Sequence, residues 1–320
     1  MWKTILRRII LMIPQIFVLS LIVFALGAMM PGDALTGLVD PTISPEQIAA
    51  QREILGLNKP WNERYIDWIS KALVGDFGRS FKHKMAVTDV IGLRIWNTLW
   101  LSLLTVIITY IIALPMGLFA GRYQNSKFDR FVNFYNFLTY SIPTFVLGLL
   151  MLWIFGYTLD WFPTRGTVDA NVAAGTFDFF LSRLNHMILP ALTIAILSTT
   201  GTIQYLRTGV IDAKTQDYVR TARAKGVPED KIYSKHIFRN SLLPIASFMG
   251  YTLTGLISGS VITEKIFTYQ GMGDLFITSI TGRDFTVMTA LVLLFGLMTL
   301  LGTLLSDIIM VIVDPRIRIN

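Results

Sequence analysis

Cysteine is absent from all 320 residues. Disulfides, thiolate metal sites and a cysteine nucleophile are therefore excluded, while the redox compartment stays open. Charge is also scarce, with Asp, Glu, Lys and Arg making up 15% of the chain, against about 25% in ordinary soluble domains. No segment fits the phosphate-cradling pattern G-x-x-x-x-G-K-[ST], so the chain lacks a nucleotide loop of that kind. G-x-S-x-G and H-E-x-x-H are missing too. The histidines His83, His186 and His236 lie in separate segments without ligand spacing. An intramembrane enzyme would therefore have no paired catalytic groups to work with.

What the chain has is apolar length. Six stretches carry almost no charge: Ile9–Gly32, Ile95–Gly121, Phe131–Leu159, Leu184–Leu206, Asn240–Thr263 and Phe285–Ser306. A spanning helix needs roughly 20 mostly apolar residues, and every one of these is long enough. The pattern predicts an all-α integral membrane protein of six transmembrane helices. Lys3, Arg7 and Arg8 make a basic start, but the first run is too long for a signal-peptide core. Met29–Asp33 also lacks a small-x-small cleavage site, so the first span is expected to remain as an anchor.

The net charge of +7 is distributed as topology requires rather than as a nucleic-acid surface would be. With the N-terminus inside, segments 1–8, 122–130, 207–239 and 314–320 hold 16 Lys/Arg and 6 Asp/Glu. The opposite segments 33–94, 160–183 and 264–284 hold 12 and 14. Positive charge accumulates on the cytoplasmic side of membrane proteins, which places both termini inside. The expected division is 1–30 as cytoplasmic start and first helix, 31–94 as an external segment, 95–313 as a five-helix core, and 314–320 as a cytoplasmic tail.

Two hydrophilic segments exceed simple connectors. In 31–94, Ser44-Pro45-Glu46-Gln47 reads as a capped helix start, and Gly56 as its stop. Pro60 to Lys71 reads as a second short helix with Trp61, Tyr65, Trp68 and Ile69 along one side. Such aromatics serve either a self-packed cap or a docking surface. In 207–239, Thr215 can cap a helix that runs to Lys225, and Gly226 stands where a left-handed residue is wanted. Pro228-Glu229-Asp230 restarts a helix, and Lys231, Lys235 and Arg239 follow at four-residue spacing on one face. A basic stripe beside a membrane meets lipid headgroups or a protein partner.

Within the spans, Pro14, Pro115 and Pro143 predict kinks, and Gly255 with Gly259 makes a small-xxx-small pair suited to close packing. Asp307 is the one acid inside a span. Intramembrane carboxylates are functional candidates, and a proton-coupled carrier would want one. Arg316 and Arg318 offer local pairing instead.

The segment Asp217-Tyr218-Val219-Arg220-Thr221-Ala222-Arg223-Ala224-Lys225-Gly226 closely resembles the cytoplasmic loop of ABC importer permeases. Arg239-Asn240-Ser241-Leu242-Leu243-Pro244 then follows, as in the oligopeptide/dipeptide branch. The wider family opens that loop with Glu-Ala-Ala, where this chain has Arg220, Thr221 and Ala222. Pro31-Gly32-Asp33, Leu55–Pro60, Gly75–Ser80 and Asp314-Pro315-Arg316 match the B-type permease of those systems, so the resemblance covers nearly the whole chain. Gln270-Gly271-Met272-Gly273 is similar to the family's Pro-Gly-x-Gly with its proline replaced.

The resemblance implies the type I ABC importer permease fold in a bacterial cytoplasmic membrane. It also implies the partners: a homologous C-type permease, two cytoplasmic ATPases and an external substrate-binding protein that delivers peptide. ATP and Mg would reside on the ATPases, with no cofactor on this chain, and Asp217 to Gly226 would form the ATPase-coupling element. Nickel and sugar importers use similar permeases, and a stand-alone proton carrier is the other alternative.

Overall fold

The computed structural model of the chain describes residues 2–29, 53, 58–257 and 260–313. The expected helix after Ser44, the Gly56 stop, the Pro31-Gly32-Asp33 and Asp314-Pro315-Arg316 motifs, and Gly259 lie outside these residues.

The described chain is helical, with no strand beyond a single isolated bridge between Arg79 and Ala86. Helix α1 (Trp2–Met29) runs through Pro14. An amphipathic α2 (Trp61–Leu73) follows, then the long α3 (Val87–Arg122). Next come α4 (Lys127–Ser141) and α5 (Thr144–Met151), which winds on as a π-helix to Thr158. Helix α6 (Phe177–Ala213) leads into a loop with α7 (Asp217–Ala224) and α8 (Glu229–Lys231), a π-helical turn Ile232–Ile237 and α9 (Phe238–Ser241). Helices α10 (Leu243–Ile257), α11 (Val261–Ile266), α12 (Met272–Thr281) and α13 (Phe285–Val313) complete the order.

Among the described residues, four helices are long and apolar enough to cross a membrane: α1, α3, α6 and α13. A fifth crossing exists if α4 and the Thr144–Thr158 helix count as one span, broken by a bend of 101°. The sequence suggested a kink at Pro143, and the structure makes it a near right angle. Proline lacks the N–H that would continue the ladder and pushes its predecessor out of the helical region; Ile142 accordingly sits at φ −86°, ψ 121°. The fifth apolar stretch becomes α10, only 15 residues long.

Packing explains the partners of each long helix. Helix α3 lies along α6, and α10 along α13, with α1 on the outside of α13. The α10–α13 contact is made at Gly250, where an added Cβ would sit 2.3 Å from Ser306 N and 2.7 Å from Gly302 O. Backbone-to-backbone approach of this kind needs glycine. The same Cβ at Gly255 would meet nothing within 4 Å, and its expected partner Gly259 lies outside the described residues.

The aromatic side of α2 folds back on α1. Phe24 lies with its ring 5.5 Å from both Trp61 and Tyr65 and 5.6 Å from Trp68, and the Tyr65 hydroxyl meets Ser20 Oγ at 2.8 Å. The Gly75–Ser80 motif is tied to the start of α13: Ser80 Oγ donates to Asp284, and Thr286 Oγ1 donates to Arg79 O at 3.1 Å.

Candidate functional site

The loop between α6 and α10 is a helical hairpin. Helix α7 buries Val219 and Ala222, which join Ile232, Tyr233 and Ile237 against Leu206, Val210 and Ala213 of α6. Tyr218, Arg220, Thr221, Ala224 and Lys225 stay exposed on the opposite side. Helix α7 ends in a Schellman cap: Gly226 N donates to Arg223 O at 2.9 Å and Val227 N to Ala222 O at 3.1 Å. Gly226 takes φ +73°, the left-handed value its position predicted. Across the turn, Arg223 Nε pairs with Glu229 Oε1 at 2.6 Å. That guanidinium holds the Glu229 carboxyl below its ordinary pKa, and the carboxylate in turn raises Arg223.

Two local expectations change. Thr215 does not cap α7: its hydroxyl donates to Asp212 O at 2.9 Å, and Gln216 takes the capping position. The helix α6 ends at Ala213, so Thr215 closes that end instead of opening the next one. Lys231, Lys235 and Arg239 are all exposed, but the π-helical turn over Ile232–Ile237 interrupts the α-helical register that would have aligned them. Asp217 pairs with Arg220, at 3.5 Å on the surface.

Asp307 lies in α13, mostly buried, with Arg8 Nε of α1 2.8 Å from its Oδ2. Arg316 and Arg318 lie outside the described residues. The pair fastens α1 to α13.

A second cluster escaped the sequence reading. Glu264 is completely buried and accepts from Asp274 N at 2.9 Å and Thr98 Oγ1 at 3.2 Å. Thr98 Oγ1 in turn accepts from Met272 N at 2.8 Å, Asn97 Nδ2 donates to Gln270 O at 2.8 Å, and the Tyr269 hydroxyl donates to Asn97 O at 2.9 Å. These bonds fasten the Gln270–Gly273 turn to α3. An acid at the edge of an apolar run was the only available signal. Among the described residues, no group of three or more His, Cys, Asp or Glu side chains could hold a metal ion.

Residues 113–319 match the family described as the binding-protein-dependent transport system inner membrane component, and residues 1–102 match its N-terminal family. The chain belongs to that family. The permease is 37% identical over 315 residues to the oligopeptide transport system permease protein AppB of Bacillus subtilis (strain 168), covering 98% of each chain. It is 32% identical over 318 residues to the glutathione transport system permease protein GsiC of Escherichia coli (strain K12), covering 99% of each. Among solved structures it resembles an inward-facing MetNI methionine ABC transporter, with TM-score 0.55 and 17% identity, over 71% of this chain and 97% of that one. That likeness concerns the fold. The hairpin therefore belongs to a transporter subunit of the membrane, not to an enzyme.

Proposed function

We propose that this chain is the B-type permease of an ATP-driven peptide importer in a bacterial cytoplasmic membrane. A homologous C-type permease forms the other half of the path, two ATPases sit on the cytoplasmic side, and an external binding protein delivers peptide. The chain crosses six times with both termini inside, α10 and α11 together making the fifth crossing. The observation that carries this reading is the hairpin. Its buried side is packed on α6, and its exposed side presents Asp217, Tyr218, Arg220, Thr221, Ala224 and Lys225. Such a part serves to convert the closure of a partner into displacement of the spans. The relatives carry oligopeptide and glutathione in their names, and glutathione is itself a tripeptide.

The deciding experiment is reconstitution. The purified chain alone should hydrolyse no ATP, because it lacks a phosphate loop. Adding the sister permease, the ATPases and the receptor in proteoliposomes should give receptor-dependent peptide uptake. Sustained hydrolysis by the chain alone, or uptake that needs no ATPase, would overturn the assignment.

A further inference from the structure

The hairpin is not attached to α6 alone. Lys214 Nζ donates to Arg122 O at 2.8 Å, fixing the end of α3. The Arg122 side chain reaches the other way: its Nη2 lies 2.7 Å from Asp230 Oδ1, and its guanidinium stands 4.6 Å over the Tyr233 ring. At the far end of the α3–α4 turn, Arg207 of α6 donates to both oxygens of Asp129, at 2.6 Å and 2.9 Å. Asp129 also accepts from Asn125 N at 2.8 Å, closing the turn on itself.

The two ion pairs are built differently. Asp129 and Arg207 keep only 3% and 19% of their side chains exposed, whereas Asp230 keeps 86%. A buried, bidentate pair is a fixed joint, since breaking it strands a charge. A pair with one partner in water adds little to stability. Arg122–Asp230 by itself thus adds little to stability, and what sets it apart is its position, backed by the Arg122 guanidinium over the Tyr233 ring. It joins the restart of the hairpin directly to the end of α3, one turn of chain from α4. Helix α4 leads to the bend at Pro143.

Resting on the coupling reading above, we infer that the α3–α4 turn is a second arm of the coupling element. Arg122 and Asp230 are the positioning residues that join the two arms. Displacement of α7 then reaches α6 through the apolar contacts of Val219 and Ala222, and reaches α4 through Arg122. Both arrive together, and the broken span moves with the straight one. Without the link, α4 follows through α6 alone, by the Asp129–Arg207 joint and the Tyr135 and Thr139 hydroxyls bonded to Thr199 and Thr200.

The absence of cysteine makes the test direct. The full transporter is assembled with partners that carry no reactive thiol, and peptide moved per ATP hydrolysed is compared with wild type. Wild-type uptake itself is the control for the proposed function, so its failure is separate from any failure of the variants. Asp230→Asn should keep its ATPases on co-purification and keep hydrolysing ATP, while transport per ATP falls several-fold. The double variant Arg122→Cys with Asp230→Cys should show the same defect and regain coupling when a short bismaleimide joins the two thiols. An unchanged ratio in Asp230→Asn would overturn the inference. So would loss of ATPase binding in that variant, which would put Asp230 in the docking face. A cross-linked transporter that stays uncoupled, or stops altogether, would overturn it too, because a fixed link between the arms would then not serve transport.

Discussion

Replacing Gly226 by valine tests the hairpin at its tightest point. Gly226 sits at φ +73°, and a Cβ added there would meet nothing within 4 Å. The added Cβ therefore meets no neighbour, and the backbone conformation is the main source of the effect. Left-handed geometry costs an L-residue roughly 1–2 kcal/mol, and a β-branched one more. That is enough to shift a two-state balance by a factor of about 5–30. The cheapest relief is to abandon the left-handed turn, which breaks the bonds from Gly226 N to Arg223 O and from Val227 N to Ala222 O. Helix α7 then leaves the angle set by the turn. Gly226→Val should thus lower peptide uptake and ATPase co-purification together, while the amount of protein in the membrane stays near wild type. Asn tolerates left-handed geometry better than Ala, and Ala better than Val, so damage should rise in that order. If the segment served only lipid headgroups, Gly226→Val would be mild, and neutralising Lys231, Lys235 and Arg239 would do the harm. A Gly226→Val permease that binds its ATPases and transports at the normal rate refutes the reasoning.

Single cysteines at Lys71 and Lys231, both exposed, report topology: in intact cells an impermeant maleimide should label the first and miss the second, and the reverse would invert the orientation. Gly250→Leu should deplete folded protein, because the added carbon meets backbone at Ser306 and Gly302 that cannot swing aside; overpacking of this kind costs about 1–3 kcal/mol. Gly255→Ala, with open space around its Cβ, should leave thermal stability in detergent unchanged, and equal loss in both variants would contradict the packing. The Arg223–Glu229 pair depends on pH through a carboxylate held below its usual pKa by Arg223. Its contribution is present above the ordinary glutamate value and is lost as pH falls through the lowered one. ATPase co-purification should therefore be flat between about pH 6 and 8, and a decline within that range would point to another group.

Features carried by neighbouring residues were the legible ones. Gly226 could be read because a left-handed cap needs glycine and because Val227-Pro228 follows it at once. The aromatic side of α2 could be read from the spacing of Trp61, Tyr65 and Trp68, although Phe24, on which they close, lies in another helix. Contacts between distant segments were not legible. Asp129 and Arg207 are 78 residues apart, and nothing near either names the other. Glu264 read as one acid of an external loop, since its burial depends on Thr98 of α3 folding over it. Asp307 had two arginines close in sequence, yet Arg8, almost the whole chain away, lies against it. Thr215 misled for a local reason: its hydroxyl can accept from the next helix or donate to the last one, and only the end of α6 decides.

The break at Pro143 bears on how the protein is made. Its two arms, Lys127–Ser141 and Thr144–Thr158, are each about 22 Å long at 1.5 Å per residue, short of the roughly 30 Å hydrocarbon layer. Neither arm can be threaded into the bilayer as an independent segment, whereas the unbroken stretch Phe131–Leu159 is ample. A crossing here needs both arms together, and the backbone groups that the break exposes must be sheltered by the neighbouring α3 and α6.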